Sequence, residues 1–174
     1  YISSYDRVKL YTTKENTGVD GNIKNCFELA SGQYCWIFAV DDYICSKEHL
    51  IMLIGVLRNQ KPDMLSFNIS LTPKKISSNF ITNSAGSVNQ NLRFLINSGK
   101  ISTCIYRRYD CYIRCVSIAA EFSGEGYLHL SYGAALNELG FRHHLFIQES
   151  CVYTLHAKYN HRHEYHPKFS QNLI

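Results

Sequence analysis

A chain of 174 residues with an apolar fraction of 45% is long enough for one domain with a real hydrophobic core. Charged residues make up 18%, the net charge is +4, and the pair Arg107-Arg108 stands nearly alone, so no basic stripe or aromatic–basic patch marks a nucleic-acid binder. Seven cysteines without a CxxC pair argue against a disulfide framework or a structural zinc site and suit small buried thiols in a reducing compartment.

Residues 7–13 alternate and are rich in β-formers, which predicts a short strand. A polar loop follows, Glu15-Asn16-Thr17-Gly18-Val19-Asp20-Gly21-Asn22. Ile23, Cys26, Phe27 and Ala30 then fall at i, i+3, i+4 and i+7, one apolar face of a helix that Gly32 stops. Residues 34–40 are continuously apolar and mostly aromatic or β-branched, as a central strand buried on both faces would be, and they end abruptly in Asp41-Asp42. Ser46 is placed to cap a helix with apolar positions Leu50, Ile51, Leu53, Ile54 and Leu57, which Pro62 breaks.

Met64 to Leu71 reads as a strand, and residues 72–91 as a long polar loop of the kind that is often functional. A helix is expected from about Asn89 to Ser98, stopped by Gly99, then a strand over Ile101 to Arg107. A second strong helix covers Tyr127 to Leu139 and ends at Gly140, and a strand follows over His144 to Val152. The alternation predicts an α/β fold, a mainly parallel open sheet flanked by helices, over residues 1–155, with a His-rich tail over 156–174.

Asp41-Asp42 is the strongest chemical feature. Ligands of open α/β sheets gather at the carboxyl ends of strands. Two adjacent carboxylates there suit a hard divalent cation, which takes oxygen ligands and shares them with phosphates. The plainer reading makes them loop or helix-capping acids.

The wider pattern adds to this pair. Asn16-x-Gly18, Gly21-Asn22, Ala30-x-Gly32-x-Tyr34, Trp36 and Asp41-Asp42 together resemble the donor-binding half of family-2 glycosyltransferases, which have a GT-A fold. The stretch ELASGQYCWIFAVDD looks especially like the branch that includes abequosyltransferase-like enzymes of surface-polysaccharide synthesis. The strongest match covers about residues 14–68, and a weaker one continues through residues 103–108 and 126–129. The family's first strand and helix have no counterpart before Tyr1, so the resemblance implies a fold truncated at its N-terminus.

The resemblance implies inverting transfer of a sugar from a nucleoside-diphosphate sugar to a hydroxyl of a glycan or lipid-linked glycan, assisted by Mg²⁺ or Mn²⁺. In it Asp42 would bind the metal, and Asp41 the metal or the nucleotide ribose. Asn16, Gly18 and Asn22 would shape the donor pocket, although the two glycines serve equally well as turn residues and Asn22 as a helix cap. Glu125 is the candidate base for the attacking hydroxyl and Glu121 the runner-up, each also readable as a solvated acid near a helix start. His129 and Arg107 are candidates for acceptor or phosphate contact, against plainer readings as a satisfied core or surface histidine and as surface charge. Among the tail histidines, His156 is placed to complete the metal site, against a plainer reading as solvated tail. Ala39 and Val40 stand where many relatives carry a first acid.

The longest apolar run, Leu50 to Leu57, falls far short of the ~20 residues that span a bilayer, and the start carries no signal-peptide pattern. With the resemblance, this places the protein in the cytoplasm, with peripheral contact at the inner face of the membrane. Two other readings compete: a non-catalytic remnant that binds carbohydrate or a partner protein, and a histidine-dependent metal binder.

Overall fold

The computed structural model of the chain describes residues 10–76, 82–84, 101–108 and 143–154, with positions 117, 131, 133, 135, 136 and 138–141. In chain order these form α1 (Gly18–Leu29), β1 (Tyr34–Trp36), β2 (Asp42–Ile44), α2 (Lys47–Gln60), β3 (Met64–Ser70), β4 (Thr82–Ser84), a single 3-10 turn (Ile101–Thr103), β5 (Cys104–Arg107) and β6 (His144–Thr154).

Helix α1 starts where Gly18 takes φ +71, a left-handed conformation that only glycine enters cheaply. The Asn16 side-chain oxygen accepts the Gly18 N–H at 3.0 Å, closing the turn into the helix. Gly21 is fixed by space instead, since a Cβ there would lie 2.5 Å from the Thr17 Cβ. The predicted face is half right: Ile23 and Phe27 are buried, while Cys26 is exposed. The helix stops at Leu29, ahead of Gly32, because Ala30 turns to extended backbone once its N–H has closed on Cys26 O. Residues 10–13, the described part of the expected first strand, are exposed and not extended into a ladder.

Ser46 caps α2 as predicted, its Oγ accepting the His49 N–H at 3.4 Å and lying 2.9 Å from His49 Nδ1. Packing against the sheet corrects the helix's expected face. His49, Met52, Leu53 and Val56 are buried, whereas Leu50, Ile51 and Ile54 are 36%, 57% and 39% exposed. Lys61 ends the helix in a left-handed conformation at φ 46, and Pro62 follows, disfavouring the right-handed region for the residue before it. At Gly140, φ +90, the later helix stops as expected: Phe141 N–H reaches back five residues to Leu136 O at 3.0 Å, a Schellman closure.

The sheet has six strands in the order β1-β5-β3-β6-β2, with β4 on the same edge of β6 as β2. It is mixed, which corrects the mainly parallel expectation. β1, β3 and β6 do run in one direction, but β5 enters between β1 and β3 and pairs antiparallel with both, leaving β3–β6 as the one parallel pair among the described strands. β2 and β4 pair antiparallel with β6. β4 also interrupts the long loop expected over 72–91, and the helix expected from Asn89 to Ser98 lies outside the described residues.

The alternation of strand side chains fills both faces of the sheet. Cys35, Met64, Cys104 and Tyr106 pack with Ile23 and Phe27 of α1 and with Ala135 and Leu136. Leu65, Phe67, Ile105 and Ile147 pack on the other face with Met52, Leu53 and Val56 of α2. Each such large side chain contributes about 1.5–3 kcal/mol by burial, so these two clusters are what hold helices against both faces. The fold is therefore a helix–sheet–helix sandwich of the α/β class.

Candidate active site

Because β1, β3 and β6 run in one direction, their carboxyl ends lie at one end of the sheet, the end where open α/β folds collect ligands. Asp41-Asp42 belongs to this end, although not directly after a long buried strand. β1 is three residues long, borders only β5 among the described strands, and gives way to a five-residue loop in which Phe38 and Val40 are 38% and 98% exposed.

The loop is short of ladder bonds because its polar groups are used locally. Ser102 Oγ accepts the Ala39 N–H at 2.8 Å, and Ala39 O accepts the Asp42 N–H at 3.2 Å. Trp36 Nε1 donates to Ser102 O at 2.8 Å, and the indole packs edge-on against Phe38 and Phe67. Ser102 itself is fully buried. It thus fastens the loop that presents the acidic pair to the 3-10 turn ahead of β5. Sequence reading missed Ser102, since the two halves of this latch lie more than 60 residues apart.

Asp42 opens β2 and stands opposite Thr154 of β6. Directly opposed residues project from the same face with Cβ atoms about 4.5–5.5 Å apart. Asp42 is 5% exposed and Thr154 4%. Both carboxylate oxygens of Asp42 and the hydroxyl of Thr154 are buried without a hydrogen-bond partner among the described residues. A carboxylate removed from water costs several kcal/mol unless a cation or donors meet it. One register step on, Tyr43 stacks on Tyr153 with ring centroids 5.4 Å apart, which holds the two strands together beside the acid.

These oxygens fit a hard divalent cation such as Mg²⁺ or Mn²⁺: a buried, unpaired carboxylate, a neighbouring acid in Asp41 and a hydroxyl across the strand pair. No cluster of three or more His, Cys, Asp or Glu side chains forms among the described residues, so water and phosphate oxygens would complete the shell. Sequence reading missed Thr154 for the same reason as Ser102, its partner being 112 residues away.

The remaining candidates are more scattered. Asn16, Gly18 and Asn22 lie together at the exposed start of α1, where Thr17 Oγ1 donates to Asn22 Oδ1 at 3.1 Å; Thr17 rather than Asn22 occupies the cap position. No hydrogen bond joins them to Asp41 or Asp42 among the described residues. Arg107 pairs with Tyr34 at the opposite end of β1 from the acidic pair, and its Nη1 donates to Lys61 O at 3.4 Å. Glu121, Glu125, His129 and His156 lie outside the described residues. Cys35, Cys104 and Cys151 are buried, and burial pushes the Cys35 thiol up to about 12 and the Cys151 thiol higher still. Cys35 and Cys151 are therefore inert packing groups.

With this geometry in view, residues 1–114 match the model of glycosyl transferase family 2, about two thirds of the chain. The chain belongs to glycosyl transferase family 2. Comparison with curated proteins gave no match. Membership makes this a glycosyltransferase domain, and the matched residues of the family-2 chain include Asp41, Asp42, Ser102 and the Asn16–Asn22 loop, while Thr154 lies beyond them. Among the described residues no helix is long and apolar enough to cross a membrane.

Proposed function

We propose that this family-2 glycosyltransferase moves a sugar, with inversion, from a nucleoside-diphosphate sugar to a hydroxyl of a glycan or lipid-linked glycan in surface-polysaccharide synthesis. The reaction is placed in the cytoplasm at the inner face of the membrane. The observation that carries the reading is the Asp42 carboxylate, buried with both oxygens unpartnered at the carboxyl ends of three strands that run in one direction.

In this reading Asp42, Asp41 and the Thr154 hydroxyl hold Mg²⁺ or Mn²⁺, with His156, two residues beyond Thr154 in sequence, as a further ligand. When bound, the cation supplies charge neutralisation for the leaving diphosphate. Asp42 anchors that charge from a site already stripped of water, so it need not reorganise during reaction. Asp41, half-buried beside it, holds the cation or accepts a hydrogen bond from a ribose hydroxyl of the donor. Ser102 keeps the loop in one position for both tasks. Asn16, Gly18 and Asn22 form the outer wall of the donor pocket. Glu125, or Glu121 in its place, removes the proton from the attacking acceptor hydroxyl, with His129 toward the acceptor.

Calorimetry with a panel of nucleoside diphosphates, with and without Mn²⁺, tests the reading. Binding that needs Mn²⁺ and disappears in Asp42→Asn is the expected result. Well-folded protein that binds none of them in either condition would instead favour a non-catalytic remnant that holds carbohydrate or a partner protein.

A further inference from the structure

The outer face of α2 is the largest feature that the site leaves unexplained. Leu50, Ile51 and Ile54 are 36%, 57% and 39% exposed, although the helix's other side is fully packed into the core. Lys47 and Arg58 share this face: with Leu50, Ile51 and Ile54 they fall at i, i+3, i+4, i+7 and i+11, one continuous stripe. Lys61, exposed, lies just past its end. Apolar groups thus occupy the middle of the stripe and cations both ends. Glu48 is the only acid of α2 and flanks the stripe, about 60° round the helix from Ile51 and about 120° from Ile54 at 3.6 residues per turn.

We propose that this face docks on an anionic lipid bilayer, with Leu50, Ile51 and Ile54 in the acyl boundary and Lys47, Arg58 and Lys61 at the phosphate level. A protein partner would account for exposed apolar side chains. The cations at both ends, with no acid among them, select a surface whose negative charge surrounds the apolar contact on every side. Long basic side chains suit that depth, since their stems lie along apolar surface while the charged heads stay in the headgroups. The stripe begins five residues after Asp42, so docking would hold the acidic loop close to the headgroups, within reach of a lipid-linked acceptor. The inference supplies the surface for the peripheral association proposed above. It rests on that reading for its purpose but not for its test, which needs no turnover.

The test is co-sedimentation of the full chain with vesicles of phosphatidylglycerol mixed with phosphatidylcholine, against phosphatidylcholine alone. The protein is expected to bind the anionic vesicles, to ignore the neutral ones, and to dissociate as salt is raised. Two variants separate the contributions: Ile51→Ser with Ile54→Ser, and Lys47→Glu with Arg58→Glu. Each is expected to weaken vesicle binding roughly tenfold or more, while the protein stays folded, with a cooperative melt, and its Mn²⁺-dependent nucleotide binding stays unchanged. Wild-type protein that ignores anionic vesicles overturns the proposal, as do two folded variants that bind like wild type. A wild type that dimerises without binding vesicles, and that the isoleucine variant returns to monomer, makes a second copy the occupant and overturns it too. Absence of sugar transfer alongside intact vesicle binding would count against the enzymatic reading alone.

Discussion

The two ends of β1 differ in how they treat buried polar groups. At the Tyr34 end they are matched: the Tyr34 hydroxyl donates toward Pro62 O at 3.1 Å and Leu57 O at 3.4 Å, Arg107 N donates to Asp63 O, and Asp63 Oδ2 accepts the His143 N–H at 2.8 Å. At the other end Asp42 and Thr154 are as deeply buried and have no such partners among the described residues. Native interiors satisfy nearly all buried polar groups, so the carboxylate left over is where the proposed cation would supply the missing partner. His144 is an exception at the matched end: it is 3% exposed and neither ring nitrogen has a hydrogen-bond partner among the described residues. Burial, however, lowers its pKa, against the opposing pull of Asp63 and the nearby Phe141 backbone, so no charge is stranded there.

The contrast breaks most readily at Asp42. Asp42→Asn is expected to weaken Mn²⁺-dependent nucleotide binding by two orders of magnitude or so, about 3 kcal/mol, as loss of a charged ligand does. In the same variant, without metal, the melting temperature is expected to rise, because a neutral amide costs less to bury than an unpaired carboxylate. A metal-free melting temperature that falls would show that protein groups already compensate the acid.

Ser102→Ala comes next. It leaves the Ala39 N–H without its acceptor, which costs about 1–3 kcal/mol, and it frees the acidic loop. Transfer rate is expected to fall about tenfold, in line with the sensitivity of catalysis to small misplacements. Thermal melting beside a transferase assay checks both effects.

Tyr34→Phe probes the opposite end. It removes the hydroxyl that joins β1 to the end of α2, and is expected to cost about 1 kcal/mol, or roughly 2–4 °C in melting temperature for a domain of this size. Calorimetry should find nucleotide affinity unchanged, and a change in affinity would mean that the two ends are coupled.

The smallest effect is a pH dependence. His144 has a folded-state pKa below its ordinary 6.5, so the unfolded chain binds more protons between the two values. Stability is therefore fully present above about 6.5 and declines as pH falls toward the folded value. Melting curves across this range should slope down toward acid in wild type and flatten in His144→Gln.

What was legible in the sequence was local. Ser46 capped α2, Pro62 followed its end, Gly140 closed the later helix, and β3 and β6 appeared close to where their apolar runs stood. The acidic pair itself was found from its abrupt position after an apolar run. Harder to read was anything decided by a distant partner. The α2 stripe Leu50–Ile51–Ile54 is as apolar as the face that is buried, and packing against the distant Leu65, Phe67, Ile105 and Ile147 chose between them. The insertion of β5 turned an expected parallel sheet into a mixed one. Ser102 and Thr154 are ordinary polar residues whose meaning comes from Ala39 and Asp42 alone.

Strand β6 carries one more implication. Its eleven residues pair with β3 on one side and with β4 and β2 on the other, and a register shift opposite Asn68, where the Asn68 amide donates to Gln148 O, lets one strand serve all three. All three partners lie within residues 1–114, whereas β6 lies after them. The family-matched segment therefore cannot complete its own sheet. Contacts spanning 80 residues or more are slow to form, because the intervening chain must be ordered first. As the polypeptide leaves the ribosome, Asp42 can meet Thr154 only after the 112 residues from one to the other have been made. Asp42 thus waits for its cross-strand partner longer than for its own loop, and a chain that stopped before β6 would carry the family-matched residues without the strand that buries Asp42.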